Sequence, residues 1–511
     1  MRISFRGAPE TSSLFLDYLD AWPFLRNYYP SYYSPESIAE FAQKIPRLAP
    51  SHLDRLCTAL TEQQVQWGGI GRGIARLNSG AVAVVTGQQA GLFTGPMYAI
   101  YKAITAIKLA RFLNDSGINA VPVFWIAAED HDQDEVRSAY VLNRDSALRE
   151  MRVALMGEVS APVGWTKYGE DISQAINDCV EVLSVAPFAL EVKDLLESAY
   201  RVGDSPVDAF AKMMSKMFAD SDLVFVNPLH PELKALAKPA LDLAVARNEA
   251  IRSAVLGRSE KLVGAGYHAQ VKVDQNFTGL FRYNGQARQI VRPAEISADG
   301  LLSPNALLRP VVQDSLFPTA AYVGGPAEIA YFAQSAAVYE TLGRSMPPVF
   351  PRISATLIEP PIKRGLRKYG LDLTDVFRGP DVLRRKAVEG IQDVAAFDRV
   401  RAKVKADVDS LGPMLNSADP TLLGALANSQ RKMLYQIERL RTRFVNAETR
   451  RNQLMDRQLD AISNSLYPDK KLQERVLNVT LFLAQYGSGL IGRIEQQLDI
   501  DSTEHQIVEL A

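Results

Sequence analysis

The stretch AVAVVTGQQAGLFTGPMYAIYKAITAIKLARFL, Ala81 to Leu113, decides how this chain is read. AVAVVT is a short, continuous apolar run, the pattern of a strand buried on both faces of a parallel sheet. A glycine-spaced turn follows. Pro96 stands where a first helical turn would start, the next residues space their apolar side chains as an amphipathic helix, and Asn114 to Gly117 read as its stop. VPVFWIAAEDHD, Val121 to Asp132, then supplies a second apolar strand that ends in a dense acidic cluster. Strand, turn, helix and strand make a right-handed βαβ unit. Turn and acidic cluster both fall at carboxyl ends of strands, where open α/β sheets bind ligands.

Working outward, DLVFVNP (Asp222 to Pro228), AAYVGGP (Ala320 to Pro326) and PPVFPRIS (Pro347 to Ser354) read as further strands. GYHAQVKV and TGLFRYNGQARQIVRP read as a small β-rich insertion, about residues 265–315, with a hairpin turn at Asn284-Gly285. Before Ala81 the chain is mixed in period, and the tyrosines of NYYPSYYS (Asn27 to Ser34) are expected to pack in a core. From about Val382 the texture becomes helical. Phe397, Val400, Val404, Val408 and Leu411 step by three or four, GPMLNSADP breaks the pattern, and Met433, Ile437, Leu440 and Phe444 resume it. Leu459, Ile462 and Leu466 follow. This predicts an antiparallel helical hairpin of coiled-coil type, whose stripe suits a dimer. The expected division is a core over 1–375, a hairpin over 376–466 and a segment over 467–511 that returns to the core.

Composition narrows the function. With 511 residues, two or three domains are expected. The 57 basic and 58 acidic residues leave a formal net charge of -1, so no global field favours nucleic acid or an anionic membrane. The basic run from Arg431 to Arg451 is interleaved with Glu438 and Glu448 and reads as a solvated helix face. No apolar segment approaches the 18 to 20 residues of a membrane span, and MRISFRGAPETSSLFLDYL lacks a signal-peptide core. Two cysteines, Cys57 and Cys179, suggest no disulfide framework; a cytoplasmic location is expected.

Five clusters carry chemistry. In the first, Gly87, Gly91 and Gly95 recur every four residues, unlike G-x-G-x-x-G or a P-loop. The turn lets a ligand approach the backbone, with Gln88, Gln89 and Thr94 as hydrogen-bonding groups and a helix N-terminus facing an anion; a tight structural turn is the alternative. The second cluster, Glu129, Asp130, His131, Asp132, Asp134 and Glu135, crowds carboxylates that require a cation, an ammonium group or donors to stay ionised. His131 between two aspartates is a candidate general base, against the alternative of an acidic first helical turn. No metal site is assigned. In the third, Asn305, Arg309, Gln313 and Asp314, Arg309 is placed to clamp a carboxylate or to form an ordinary salt bridge. The fourth, Gly324-Gly325-Pro326 with Glu328, repeats the strand, glycine, proline, helix grammar and could cradle a second polar group. The fifth puts Arg352 and Ser354 after a strand, as an anion site or as structural residues.

Together, VTGQQAGLFTGPMYAIYK, VPVFWIAAEDHDQDEV, NALLRPVVQD, YVGGPAEIAYF, PPVFPRISATLIE and QERVLNVTLFLAQYG resemble the signature segments of the BshC family, the cysteine-adding enzymes of bacillithiol biosynthesis. The likeness runs from about Ala81 to Gly487. It implies a Rossmann-like core with connecting-peptide insertions, a coiled-coil domain supporting a homodimer, and ligation of cysteine to the amine of glucosaminyl-malate in the last step of the pathway. Class I synthetases and nucleotidylyl-transferases have a similar core, but GQQAGLFTG stands where they carry H-x-G-H. The cofactor is therefore left open, with ATP or another adenine nucleotide and magnesium as candidates. On this reading Gly87 to Gly95 and Gly325 cradle anionic groups, Glu129 to Asp132 hold or deprotonate the amine, and Arg309 and Arg352 bind carboxylates. The competing readings are a nucleotide-dependent transferase on another amino sugar or amino acid, and a non-catalytic dimeric scaffold.

Overall fold

The structure is a computed structural model that describes residues 2–9, 11–388, 394–451 and 453–511. The chain divides into two compact units. One comprises the residues up to Arg144, Leu148–Thr356 and Glu474–Val508; the other comprises Asp145–Ala147, Leu357–Gln473 and Glu509–Ala511.

The first unit is built on five parallel strands: β1 Val82–Gln88, β2 Ala120–Ile126, β3 Val224–Val226, β4 Thr319–Gly324 and β5 Val349–Pro351. Their order across the sheet is β5-β4-β1-β2-β3. The chain therefore moves outward from β1 through β2 to β3 and restarts on the other side with β4, so the connections reverse between β1 and β4. The carboxyl ends at that reversal form the crevice in which doubly wound sheets bind ligands. Every residue of β2 and β4 is buried, which explains their unbroken apolar spelling.

Helix α1 (Tyr98–Asp115) follows β1 and helix α2 (Pro326–Thr341) follows β4. α1 is buried nearly all round, Lys102 and Thr105 included, rather than along one amphipathic stripe. Segments beyond the strands also close on it, the Ile353 N–H donating to Thr105 Oγ1 and Lys108 Nζ to Glu495 O at 3.0 Å each, so it has little polar face to show. Tyr28, Tyr29 and Tyr33 of the N-terminal segment do pack in the core, each with its hydroxyl on a backbone carbonyl, while Tyr32 packs half-buried against it. Tyr29 donates to Ile329 O at 2.6 Å and Tyr33 to Leu19 O at 2.9 Å; Tyr18, earlier in the chain, donates to Val349 O at 2.7 Å.

The β-rich insertion is a three-stranded antiparallel sheet of Leu280–Asn284, Ala287–Ile290 and Leu302–Pro304. Asn284 pairs with Ala287, so the two-residue turn is Gly285-Gln286, one residue later than expected. GYHAQVKV forms no strand. The Gln334 side chain brackets Val271, accepting from its N–H and donating to its carbonyl at 2.8 Å each, and so takes the place of a neighbouring strand.

The second unit is helical. Val394–Asp409 and Leu422–Arg451 form the hairpin, with Phe397 and Phe444 in ring contact at 5.5 Å. GPMLNSADP does not simply break the helix: Gly412–Ala418 is a short helix of its own, with Pro413 in its first turn. Arg384 ties its helix to Gln453–Leu466 through Asp456 and Asp460, at 3.1 and 2.8 Å. Val408 and Val445 are buried, whereas Val400, Leu411, Met433 and Leu440 of the predicted stripe are exposed. Part of the predicted pattern near Val382 continues into 389–393, outside the described residues. No helix among the described residues is long and apolar enough to cross a membrane.

Candidate functional site

A cavity of about 510 Å³ opens at the reversal between β1 and β4. It lies within the size range of small-molecule sites. Of the residues singled out from sequence, Gly87, Gln88, Gln89, Glu129, Asp130, His131, Glu135, Asn305, Arg309, Gly325, Glu328 and Arg352 line it. Asp132, Gly91, Thr94 and Gly95 do not. Asp132 caps the short helix Gln133–Val136 by accepting the Asp134 N–H at 3.1 Å. Gly91 to Gly95 fold into a turn of their own. A Cβ on Gly91 would stand 2.7 Å from Gly95 Cα, and Gly95 itself has φ +70°. Phe93 and Thr94 also take positive φ, 52° and 77°, a costly backbone for residues with side chains. Asn478 holds them there: its amide donates to Phe93 O at 2.9 Å and Gly95 O at 2.7 Å, while Tyr200 OH accepts the Thr94 N–H at 3.1 Å. The Met97 N–H is taken by Leu477 O at 3.0 Å.

The floor is an ionic network. Lys102 Nζ donates to Gly87 O at 2.6 Å and Gln88 Oε1 at 2.9 Å, and pairs with the Glu328 carboxylate. Glu328 further accepts the Gly325 N–H at 2.8 Å and Tyr322 OH at 2.7 Å. The anion at the start of α2 is thus the chain's own Glu328. Burial alone would raise that carboxyl, but Lys102, the Gly325 N–H and Tyr322 outweigh it and hold Glu328 below the usual range, ionised.

Most of the acidic cluster is compensated internally. Glu129, 7% exposed, pairs with Lys234 and accepts Tyr283 OH at 3.0 Å. Asp130 accepts Gln89 Nε2 at 2.5 Å and the His131 N–H at 2.7 Å. Asp134 pairs with Arg137. Glu135 differs: among the described residues no cation lies within ion-pair distance of it, and its nearest donor is Gln88 Nε2 at 3.4 Å. Partial loss of water at the cavity wall, then Asp132 and Asp130, raise its carboxyl above the ordinary glutamate range.

The arginines divide in the same way. Arg352 is locked by a buried fork to Glu474, at 3.0 and 2.5 Å, so its charge is already answered. Arg288, 8% exposed, donates to Ser303 Oγ and Pro304 O at 2.8 Å each and stacks at 3.8 Å on the Phe281 ring. Of its three remaining N–H groups, one on Nη1 reaches His131 Nδ1 at 3.3 Å, and Asp130 Oδ1 lies 3.8 Å from the same nitrogen. Arg309 has no carboxylate within ion-pair distance among the described residues. It touches the Tyr331 hydroxyl, and its Nε is buried without a partner. Arg475, also on the wall, has no described partner.

Lys102, Arg288 and Arg475 were not among the residues singled out for the site, and Glu135 was named only as a member of the acidic cluster. Lys102 carried one readable signal, a lysine among the apolar and aromatic residues of the first turns of its helix, Tyr98 to Ile104. Arg288 and Arg475 carried none, since each reaches the cavity from a segment distant in sequence. Among the described residues no group of three or more His, Cys, Asp or Glu side chains is placed to hold a metal ion.

Family models agree with this architecture. The model described as bacillithiol biosynthesis BshC, N-terminal Rossmann-like domain, matches residues 1–298 and 294–353, and the BshC C-terminal coiled-coil domain matches 355–510. A protein of Koribacter versatilis named "Putative cysteine ligase BshC" is 35% identical, covering 99% of each chain. Proteins of the same name from Solibacter usitatus and Salinibacter ruber are 34% and 31% identical; the alignments cover 98% of both chains for the former, and 97% of this chain and 96% of the relative for the latter. With full-length relatives and both domains matched, the chain belongs to the BshC family of bacillithiol biosynthesis.

Proposed function

We propose that this cavity joins the carboxyl group of cysteine to the amine of glucosaminyl-malate, forming an amide. The observation that carries the reading is Arg309, a guanidinium in the cavity wall with no carboxylate within ion-pair distance among the described residues, Glu328 and Asp130 acting on it only from further off. A buried or half-buried cation without a counter-charge is costly, and a substrate carboxylate removes that cost. Arg475 offers a second free cation, which suits the two carboxylates of a malate group. Glu135 offers the opposite charge, a carboxylate with no cation within ion-pair distance among the described residues and a raised affinity for protons, suited to take a proton from the neutral amine as it is acylated. The names of the relatives support cysteine as the acyl donor.

Joining a carboxylate to an amine expels a carboxyl oxygen, so the acyl donor must be activated before the amine attacks. The test is a mass-spectrometric assay of purified protein with cysteine and glucosaminyl-malate, with and without ATP and magnesium. Amide product in any arm supports the reading, and the arm identifies the activating group. Absence of product in every arm, including one supplied with a chemically activated cysteinyl donor, removes it. We place the protein in the cytoplasm as a homodimer. The exposed Val400, Leu411, Met433 and Leu440 support the pairing, and light scattering of a Leu440→Glu variant tests it.

A further inference from the structure

We infer that His131 serves as a neutral hydrogen-bond donor through Nε2, aimed at the oxyanion of the acyl-transfer step, and that Arg288 is the positioning residue that fixes this tautomer. The inference rests on the amide-forming reading above. Its first premise does not: a guanidinium has only donors, so the 3.3 Å contact between Arg288 and His131 Nδ1 requires Nδ1 to accept. A neutral imidazole that accepts at Nδ1 carries its proton at Nε2. Arg288 has little freedom to yield. Ser303 Oγ, Pro304 O and the Phe281 face hold three sides of it, and His131 packs tilted against the same Phe281 ring at 5.9 Å.

Asp130 does not reverse the assignment. Its Oδ1 lies 3.7 Å from His131 Nδ1, beyond hydrogen-bond reach, and is engaged by the His131 backbone N–H at 2.7 Å. The ring lines the cavity, and among the described residues nothing accepts from Nε2. The free end of His131 is therefore a donor facing ligand space, and the lone pair a base would need is already occupied.

In the reaction, the amine nitrogen bonds to the acyl carbon of a cysteinyl donor activated as a mixed anhydride with phosphate. The carbonyl π pair moves onto oxygen, where His131 Nε2–H meets the new charge. Collapse restores the carbonyl and expels the phosphate oxygen with the electron pair of its bond, and the surplus amine proton passes to Glu135. A neutral imidazole in this electrophilic role is an established catalytic device.

The experiment is ring ¹⁵N–¹H correlation spectroscopy of the full-length protein labelled on its five histidines, with His131 assigned by its loss in His131→Gln. The expected signature is the neutral Nε2–H tautomer at pH 7.5, giving way to mixed tautomers in Arg288→Gln. An Nδ1–H tautomer or an imidazolium in the unmodified protein overturns the inference, even if Arg288→Gln fails to fold. Kinetics provide the second arm. His131→Gln, which keeps a donor but cannot act as a base, is expected to retain at least tenfold more kcat than His131→Ala, the latter falling roughly 10²-fold. Equal loss in both variants overturns the donor role. If the unmodified protein forms no amide at all, the proposed reaction fails while the spectrum still decides the tautomer.

Discussion

Replacing Arg309 by methionine separates a ligand-binding cation from a structural one. Arg309 makes no ion pair with the protein among the described residues, and its polar contact is the Tyr331 hydroxyl. Methionine retains much of the aliphatic stem, so the fold should lose about 1 kcal/mol, the worth of one hydrogen bond. Binding should lose more. A charge-assisted contact to a substrate carboxylate contributes about 1.5–3 kcal/mol, and about 2 kcal/mol corresponds to roughly 30-fold. The loss should appear as a raised KM for glucosaminyl-malate with kcat little changed, because the malate carboxylates do not change charge in the reaction. Arg352→Met is the contrasting control: it strands Glu474, which is almost wholly buried, and should cost the fold about 3–5 kcal/mol. Steady-state kinetics together with urea unfolding of both variants make the comparison. If Arg309→Met destabilises as much as Arg352→Met, or leaves KM for both substrates unmoved, the distinction between free and engaged arginines is wrong.

Glu135→Gln should lower kcat roughly 10²-fold or more, and should abolish the acid limb of the kcat/KM profile. Because its carboxyl is raised, that limb in the unmodified protein should lie above ordinary glutamate titration, activity falling as pH drops through it. Asp314, pushed up to about 6 by burial against the opposing hydrogen bond of Tyr339, favours folding most when protonated. Its contribution is complete below about pH 4, the unfolded value, and is lost as pH rises through 6. Asp314→Asn should therefore add on the order of 2 kcal/mol at pH 8 and nothing at pH 4, measured by denaturant unfolding at both. Glu474→Gln keeps the shape but leaves the Arg352 guanidinium uncompensated, and should cost about 3 kcal/mol in the same assay; a loss below about 1 kcal/mol would mean the pair is water-screened.

The parallel sheet was legible because strands buried on both faces must be apolar without alternation, and few other elements are spelled that way in five or six residues. AVAVVT, VPVFWI and AAYVGG are such runs, and all three became neighbouring strands. What misled was local pattern where a distant group supplies the hydrogen bonds. GYHAQVKV alternates like a strand, yet its backbone partner is the Gln334 side chain more than sixty residues away. GPMLNSADP looks like a breaker, yet a proline in the first turn costs a helix nothing.

The candidate site is legible to a different depth, and the reason is charge pairing. Sequence shows which residues carry charge and which of them lie near strand ends, but a cation becomes a ligand group only if no partner in the fold has already answered it. Arg309 and Arg352 look alike in sequence, each beside a proline at the boundary of an element. Glu474, more than a hundred residues downstream of Arg352, engages it, while no carboxylate of the described chain does the same for Arg309. Glu129 and Glu135 divide alike, Lys234 occupying the first and, among the described residues, no cation the second. A substrate that binds by charge must bind to what the fold leaves over. That remainder, Arg309 and Arg475 against Glu135, has two cationic points and one anionic one. A molecule with two carboxylates and one amine matches it in number and in sign.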